Sequence, residues 1–205
     1  MLTGADRHLL EAPVVEVAPL LLGAVLTRTS PEGSVAVRLT EVEAYAGMGE
    51  DPGSHAHRGR TPRTGVMFGE AGHLYAYFSY GLHVCANVVC APPGRAAAVL
   101  LRGGEVVAGE ALATARRGGV PPVRLARGPA NLAAALGIAL AETGTDLLDD
   151  QAFALRLPDV PAAVVRRGPR VGVSGAGGSE EYPWRFWLPD EPTVSAYRPG
   201  RGGAR

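Results

Sequence analysis

The chain has 205 residues, of which 46% are hydrophobic, so one well-packed domain is expected and global disorder is not. Its formal net charge is zero, which argues against a purely electrostatic nucleic-acid binder. No segment approaches the roughly 20 consecutive apolar residues of a membrane-spanning helix, and the apolar run at residues 20–26 lacks the basic flank of a signal peptide. All 20 basic residues are arginine, so a mechanism through a lysine imine is excluded.

Charge is distributed unevenly along the chain. Residues 1–57 contain three arginines and eight acidic residues, whereas residues 58–127 contain nine arginines and three acidic residues. A basic middle third in a neutral protein suits an anionic partner that is bound on one face. A solvated, arginine-rich surface would have the same composition.

The two cysteines favour a reducing compartment. Cys85 and Cys90 are five positions apart, so on one strand they would face opposite sides and could not form a disulfide. We therefore expect a cytoplasmic protein.

In chain order, the first half predicts two short helices followed by strands. The helices are expected over residues 6–12 and 19–27. A strand follows over residues 34–45, with one irregularity where the apolar alternation changes phase. Residues 47–72 form a long irregular stretch rich in glycine, histidine and arginine, and residues 72–90 predict a β-hairpin that turns near residues 79–82.

The second half predicts both helices and strands. The helices are expected over residues 104–117 and 129–140; the strands are expected over residues 96–102, 152–157, 170–174, 184–188 and 193–196. Because strand runs and helix runs are segregated, the α+β class is favoured over a βαβ repeat. We expect a single domain over residues 1–198 and a disordered tail over residues 199–205.

Glu43 and Tyr45 are the first candidates for chemistry. They are two positions apart on a strand, so their side chains share a face. An inward carboxylate beside an aromatic ring would be partly desolvated and a better base, although a glutamate at a strand end is usually exposed. Four of the six tyrosines fall between residues 45 and 80; they could stack on nucleobases or form an ordinary strand core.

Other polar residues leave further alternatives open. His55 and His57 could bind a metal together with Glu43, which would indicate a metal-dependent hydrolase, but no third ligand has a recognised spacing. Asp51 could pair with Glu43 as in glycoside hydrolases, on sequence proximity alone. Arg58, Arg60 and Arg63, with Thr61 between them, are typical of a phosphate-binding segment and also of a solvated loop.

A series of motifs carries a resemblance to a known family. It comprises residues 40–45 (TEVEAY), 51–55 (DPGSH), 61–63 (TPR), 67–68 (MF), 72–81 (GHLYAYFSYG), Asn87, 99–102 (VLLR), 128–129 (GP) and 170–173 (RVGV). In this order and spacing, over about residues 15–197, they resemble the alkyladenine (3-methyladenine) DNA glycosylase family.

The resemblance implies roles for the residues around Glu43. Glu43 would be the general base that activates water for attack on C1′ of the deoxyribose. Arg102 and the main-chain carbonyl of Val171 would hold that water. Tyr45, His55 and Tyr77 would enclose the flipped base, and the backbone N–H of His55 would donate a hydrogen bond to it.

The resemblance also implies how the site meets DNA. Asn87 would obstruct the 2-amino group of normal guanine, and Tyr80 would wedge into the minor groove. Thr61 and Arg63, with Arg60 nearby, would contact phosphates. The short segment after the histidines places His55 rather than His57 in the pocket, and His83 stands where an aromatic residue is often found.

Together these features predict a monofunctional glycosylase acting on double-stranded DNA that contains a damaged purine. The fold is expected to be a curved, mostly antiparallel sheet with peripheral helices and a protruding hairpin that inserts into DNA. No metal or cofactor is expected, and the protein should be a cytoplasmic, nucleoid-associated monomer. The family's substrates include 3-methyladenine, 7-methylguanine, hypoxanthine and ethenoadenine. The rival hypotheses are a non-catalytic nucleic-acid-binding module and the metal-dependent hydrolase.

Overall fold

The computed structural model describes residues 4–79 and 81–200, and within these ranges one curled sheet of eight strands is accompanied by three α-helices. The strands are β1 (Val25–Ser30), β2 (Gly33–Tyr45), β3 (Leu74–Ser79), β4 (His83–Cys90), β5 (Ala97–Ala108), β6 (Phe153–Arg156), β7 (Arg166–Gly168) and β8 (Arg185–Trp187). The helices are α1 (Val14–Leu20), α2 (Glu110–Arg116) and α3 (Pro129–Leu136). Short 3-10 helices lie at Gly4–Glu11, Gly65–Phe68, Pro122–Arg124, Leu140–Glu142 and Ala176–Gly178.

β2 organises the sheet. The strand order is β3-β4-β5-β2-β1-β6, and every pairing between the described strands is antiparallel. On one edge β2 pairs with β5; on the other, its first half pairs with β1 and its second half with β8. The register against β5 shifts on both sides of Glu41, which confirms the irregularity predicted within residues 34–45. Such shifts bend a strand and re-aim its side chains.

Alternation along the strands gives the sheet two chemically different faces. On β5, Ala97, Val99 and Leu101 belong to the main hydrophobic core, whereas the residues between them line a cavity on the opposite face. A second, smaller hydrophobic cluster lies next to that cavity; it consists of Ala56, Met67, Tyr75, Val89, Ala96 and Ala98. The main core therefore holds the sheet in shape and leaves the other face available for a site.

The predicted α+β class and the single domain with a curved antiparallel sheet are confirmed. The predicted hairpin over residues 72–90 corresponds to β3 and β4, which pair with Ser79 opposite His83. Tyr80 lies outside the described residues, and so do residues 201–205 of the predicted tail. Insertion of the hairpin into DNA stays a prediction.

The helix predicted over residues 19–27 is wrong. The earlier prediction, over residues 6–12, falls largely on the 3-10 helix at Gly4–Glu11. α1 begins directly after Pro13 and ends at Leu20, and the chain then turns at Gly23, whose φ is +83°. The following residues form β1, which pairs with β2 on one edge and β6 on the other. Pairing on both edges satisfies the backbone groups of β1, and that tertiary gain overrides weak local helix propensity.

Two helix boundaries are also wrong. β5 continues to Ala108, well past the strand predicted over residues 96–102, so the helix predicted from residue 104 begins only at Glu110. α3 begins at Pro129, as the Gly128–Pro129 pair predicts, but it ends at Leu136 rather than at residue 140. Gly137 adopts a φ of +73° there, which is a common way to end a helix.

The short C-terminal strands are only partly confirmed. The predictions over residues 152–157 and 184–188 correspond to β6 and β8, whereas residues 170–174 and 193–196 contain no strand. β7 lies earlier, over Arg166–Gly168. Side-chain contacts, rather than the backbone hydrogen bonds of a paired strand, hold the segment at 193–196. For example, the hydroxyls of Thr193 and Thr40 are 2.8 Å apart.

Both cysteines are free and buried, and both lie on β4. Cys85 lines the cavity and Cys90 belongs to the main core, so the opposite facing predicted from their spacing is confirmed. No helix in the described ranges is long and apolar enough to cross a membrane.

We expect Gly104→Ala to destabilise the protein by about 1–3 kcal/mol, because overpacking carries a cost of that size. A Cβ on Gly104 would lie 2.4 Å from Val37 Cγ1 and 2.5 Å from the Arg38 carbonyl oxygen, which would force β5 away from β2. The measurement is urea denaturation. Gly65→Ala is the matched control, since its Cβ would meet nothing nearer than 3.8 Å. Equal stability of the two variants would contradict the prediction.

Candidate active site

A cavity of about 760 Å³ lies on the face of the sheet opposite the main core. Residues from β2 to β5 form one wall, the irregular segment at 52–67 forms another, and residues 171–174 close a third side. The lining includes Glu43, Tyr45, His55, Arg63, Tyr75, Tyr77, Cys85, Asn87, Arg102 and Val171. The volume is in the range of sites that hold small organic molecules.

Glu43 is the cavity's buried carboxylate. The residue is 0% exposed to solvent, although it lines the cavity. The Tyr45 hydroxyl donates a hydrogen bond to Oε2 at 2.9 Å, and the backbone N–H of Val171 donates one to Oε1 at 2.7 Å. An ionised carboxylate has about four acceptor positions, so these two donors leave capacity for a water molecule. Glu43 is thus a fixed, desolvated group of the kind that can accept a proton.

Arg102 links Glu43 to a second buried carboxylate. Its Nε lies 3.6 Å from Glu43 Oε1 and 3.0 Å from Glu41 Oε1. Glu41 is also 0% exposed, and its Oε1 accepts a further hydrogen bond from Arg185 Nε at 2.7 Å. The Ser195 backbone N–H donates to Glu41 Oε2 at 2.7 Å. Two carboxylates and two guanidinium groups therefore form one buried network with balanced charge.

Arg170 is a buried residue that connects the segments on which the site residues lie. It is 0% exposed and forms two 2.6 Å hydrogen bonds with the carboxylate of Asp51. It also donates to the carbonyls of Ala44 at 2.9 Å and Gly177 at 2.6 Å. Burial by itself lowers the pKa of Arg170, but the hydrogen bonds and charge of Asp51 outweigh burial, so the pKa is raised. Asp51 thus pairs with Arg170 rather than with Glu43.

The aromatic wall is built around Tyr77. The ring centroid of Tyr77 is 5.6 Å from that of Tyr75 and 4.6 Å from that of His55, whose ring stands at 89° to it. Tyr45 also lines the cavity, and the Arg170 guanidinium carbon lies 4.5 Å from its ring centroid. Burial raises the pKa of all three tyrosines, and the charge of Glu43 raises that of Tyr45 further. The hydroxyl of Tyr45 therefore stays protonated and can act as a donor.

His55 is held as a neutral imidazole at the cavity's exposed edge. Its Nε2 is 3.3 Å from Arg63 Nη2, and its Nδ1 is 3.3 Å from the Tyr75 hydroxyl. Arginine can only donate, so Nε2 must accept, and the tautomer inferred from these partners carries its proton on Nδ1. Desolvation of the ring and the charge of Arg63 lower the pKa of His55 to about 4. A neutral ring is compatible with a cationic ligand in the cavity.

Asn87 is fixed on β4 inside the cavity. It is 3% exposed, and its Nδ2 donates to the Tyr75 carbonyl at 2.8 Å. Because the amide is anchored to the neighbouring strand, its position relative to a bound ligand is well defined. This rigidity is what a steric discriminator needs.

The predicted phosphate-contacting residues are exposed on the irregular segment, and one of them reaches the cavity. Arg63 lines it, with its guanidinium carbon 5.2 Å from the Tyr77 ring centroid. Arg60 lies 5.9 Å from the Phe68 ring centroid, and the Thr61 hydroxyl is 3.0 Å from that of Thr64. Their contacts with DNA stay a prediction.

The structure gives the metal hypothesis no geometric support. In residues 4–79 and 81–200, no group of three or more histidine, cysteine, aspartate or glutamate side chains could hold a metal ion. His55 and Glu43 line the cavity, but His57 is not among the lining residues.

Sequence reasoning did not identify Glu41, Arg185 and Ser195, and it did not assign a role to Arg170. A carboxylate two positions before Glu43 was a usable signal for Glu41, since both share a face of β2. Nothing local in the sequence indicates that Arg185 and Ser195 meet there.

The site is a cavity with an aromatic wall and a buried carboxylate, and exposed arginines border it. The carboxylate is typical of an enzyme, the aromatic wall suits a planar ring, and the arginines suit a chain that carries phosphates. Residues 8–192 match the family model described as methylpurine-DNA glycosylase (MPG). The chain belongs to this family, and it is a DNA glycosylase, a hydrolase of base excision repair.

Relatives match nearly the whole chain. A protein of Leifsonia xyli subsp. xyli is 60% identical over 200 residues, covering 95% of this chain and 92% of that protein. A protein of Streptomyces avermitilis is 53% identical over 200 residues, covering 96% and 92%. One of Mycobacterium tuberculosis is 49% identical over 201 residues, covering 93% and 95%. Each bears the name "Putative 3-methyladenine DNA glycosylase".

We expect Asp51→Asn to lower the free energy of unfolding by about 3–5 kcal/mol, because it leaves the buried Arg170 charge unpaired. Urea denaturation provides the measurement. Glu50→Gln is the matched control, since the Glu50–Arg95 pair is exposed and such pairs contribute at most about 1 kcal/mol. An Asp51→Asn variant as stable as this control would contradict the role assigned to the ion pair.

Desolvation of the ring is the larger cause of the lowered pKa of His55 and the charge of Arg63 is the smaller one, so Arg63→Gln should raise that pKa from about 4 only part of the way toward 6.5. Since the folded-state pKa is lowered, the stability that the neutral ring contributes is complete above about pH 6.5. It is lost as the pH falls toward 4. NMR titration of the imidazole measures the shift. Arg58→Gln, on the same segment, should leave the pKa unchanged; equal titration curves for both variants would refute the prediction.

Proposed function

We propose that the protein flips an alkylated or deaminated purine out of duplex DNA into this cavity and hydrolyses its N-glycosidic bond with a water activated by Glu43. The observation that carries the proposal is Glu43 itself, a fully buried carboxylate beside a cavity lined by Tyr45, Tyr77 and His55. Enzymes that act on a base must take it out of the stack, and such a cavity provides the place for it.

In the proposed step the C1′–N bond breaks and its electron pair leaves with the base. The oxygen of water bonds to C1′, and Glu43 takes the proton of that water. The position of Arg102, with Nε 3.6 Å from Glu43 Oε1, supports a role in holding the water. At Val171 the observed contact is the backbone N–H on Glu43, which fixes the carboxylate, and its carbonyl would complete the water site.

The aromatic wall would select the base. A positively charged alkylated purine is attracted to electron-rich tyrosine faces, and once its bond breaks it leaves as a neutral base. The neutral His55 adds no repelling charge, and its backbone N–H would donate to the base. Asn87 would stand against the 2-amino group of normal guanine. The substrate range would lie among 3-methyladenine, 7-methylguanine, hypoxanthine and ethenoadenine.

On the DNA side, Tyr80 in the β3–β4 connection would fill the gap left by the flipped nucleotide. Thr61, Arg60 and Arg63 would contact phosphates. We further expect the enzyme to act as a cytoplasmic, nucleoid-associated monomer without metal or cofactor. It would be monofunctional, in agreement with the absence of a lysine side chain that could form an imine with the abasic sugar.

The deciding experiment measures single-turnover base release in chelator from duplex DNA with one hypoxanthine, and separately from alkylated DNA. Wild type and Glu43→Gln are compared, with Glu50→Gln as an exposed glutamate control. We expect Glu43→Gln to bind DNA but to release base at least about 100-fold more slowly, since it loses the general base. Strands should break only after alkali.

The other outcomes separate the rival functions. Full activity of Glu43→Gln would refute the proposed base. Release that stops in chelator and returns with metal would favour a metal-dependent hydrolase. Binding of damaged DNA without any base release would favour a non-catalytic binding module, although a carboxylate beside phosphates weakens such binding by repulsion.

A further inference from the structure

A second buried carboxylate, Glu41, is not used by the proposed mechanism. It is 0% exposed, and its oxygens accept hydrogen bonds from both guanidinium groups of the buried network and from Ser195. The Oε1 contacts are with Arg102 Nε at 3.0 Å, Arg185 Nε at 2.7 Å and Ser195 Oγ at 2.9 Å. A carboxylate with this many hydrogen-bond donors around it is fixed in place.

The backbone around Glu41 is shaped to admit this network. The register shifts in β2 place Glu41 opposite Gly103 of β5. A Cβ on Gly103 would lie 3.1 Å from Glu41 Oε2 and 3.0 Å from the Thr193 carbonyl oxygen, which is closer than most side-chain contacts. Glycine at this position therefore leaves room for the carboxylate and for the C-terminal segment that contacts it.

Arg102 stands between the two carboxylates but binds them unequally. Its Nε is 3.0 Å from Glu41 and 3.6 Å from Glu43, and it also donates to Ser195 Oγ at 3.1 Å. A nearby cation stabilises a carboxylate in its charged form and makes that carboxylate a weaker base. Without the Glu41 carboxylate, Arg102 would have Glu43 as its carboxylate partner in the network.

Among the groups around Glu43, Arg102 is the cation whose pairing affects the basicity of Glu43. The titratable or charged groups that face it are Tyr45 on β2, Tyr77 on β3, Cys85 on β4, Arg102 on β5 and Arg170 after β7. Burial keeps the two tyrosines and the cysteine neutral, because it raises the pKa of each. Arg170 is neutralised by Asp51, so Arg102 is the cation whose choice of partner matters.

We propose that Glu41 is a positioning residue that draws Arg102 toward itself and so preserves the capacity of Glu43 to take a proton from water. The inference rests on the proposed role of Glu43. Glu41 touches neither the base nor the water; it acts through Arg102. Arg102 is then near enough to Glu43 to hold the water. It binds Glu43 too weakly to abolish the ability of that carboxylate to accept a proton.

The test is the pH dependence of single-turnover base release from hypoxanthine-containing duplex DNA by Glu41→Gln. Glutamine keeps the size of the side chain and removes its charge, so Arg102 should pair with Glu43 alone. We expect release at neutral pH to slow by up to about tenfold, because a weaker base takes the proton of water less efficiently. We also expect the acid limb of the rate profile to move down by about 1 pH unit. Affinity for DNA that carries an uncleavable abasic analogue should stay at the wild-type value.

Two further variants keep the test decisive. Ser195→Ala removes a hydrogen-bond partner of Arg102 and Glu41 without changing charge, and it should leave the acid limb in place. Glu41→Gln can unfold the protein because it leaves two buried guanidinium groups with one fewer counter-charge. Glu41→Gln combined with Arg185→Gln restores the charge balance, still leaves Arg102 to Glu43, and should show the same shift. Circular dichroism melting checks that each variant is folded.

In an Arg102→Met background, Glu41→Gln should have no further effect on the rate. An additional loss there, or a uniform fall in rate with no movement of the acid limb, would show a merely structural role and overturn the inference. So would a wild-type profile for Glu41→Gln while Glu43→Gln is inactive. If Glu43→Gln itself keeps the wild-type rate, it is the proposed function that fails.

Discussion

Arg170 and Asp51 form a two-point ion pair that is shielded entirely from solvent. Through it, the irregular segment that contains Asp51, the end of β2 and the segment after β7 are held at one point, because Arg170 also binds the carbonyls of Ala44 and Gly177. Both Glu43 and Val171 are chain neighbours of residues in this cluster. The hydrogen bond between them therefore depends on a charge pair that neither of them belongs to.

The ion pair can have this effect because the sheet gives it a rigid frame. The main core on one face is mostly aliphatic and is buried, so β2 and β5 cannot shift without loss of close packing. The opposite face carries the polar groups, and their buried charges occur as balanced sets: Asp51 with Arg170, and the two glutamates with Arg102 and Arg185. Balanced charge in a desolvated site keeps groups ionised where isolated charges would be neutralised.

The same arrangement explains how a chain with no net charge can suit a polyanionic partner. The acidic groups nearest the cavity are buried and paired with arginines, whereas Arg60 and Arg63 are exposed on the segment beside it. The side chains exposed beside the cavity at these two positions are therefore positive, although the sum over the chain is zero. Net charge is a poor guide to binding when the exposed charges are unevenly distributed over the surface.

The sequence by itself determined the class of fold, the long β2 with its irregularity, the hairpin and the motif residues that line the cavity. These are properties of local alternation and of short motifs, which are read along the chain. Only the tertiary structure decided that residues 25–30 are a strand, that β5 runs on to Ala108, and that Arg170, Arg185 and Ser195 meet the residues of β2. These outcomes depend on partners that are distant along the chain, and no local pattern encodes such partners. The buried charge network is formed by long-range contacts for the same reason. Only folding decides which arginine pairs with each carboxylate.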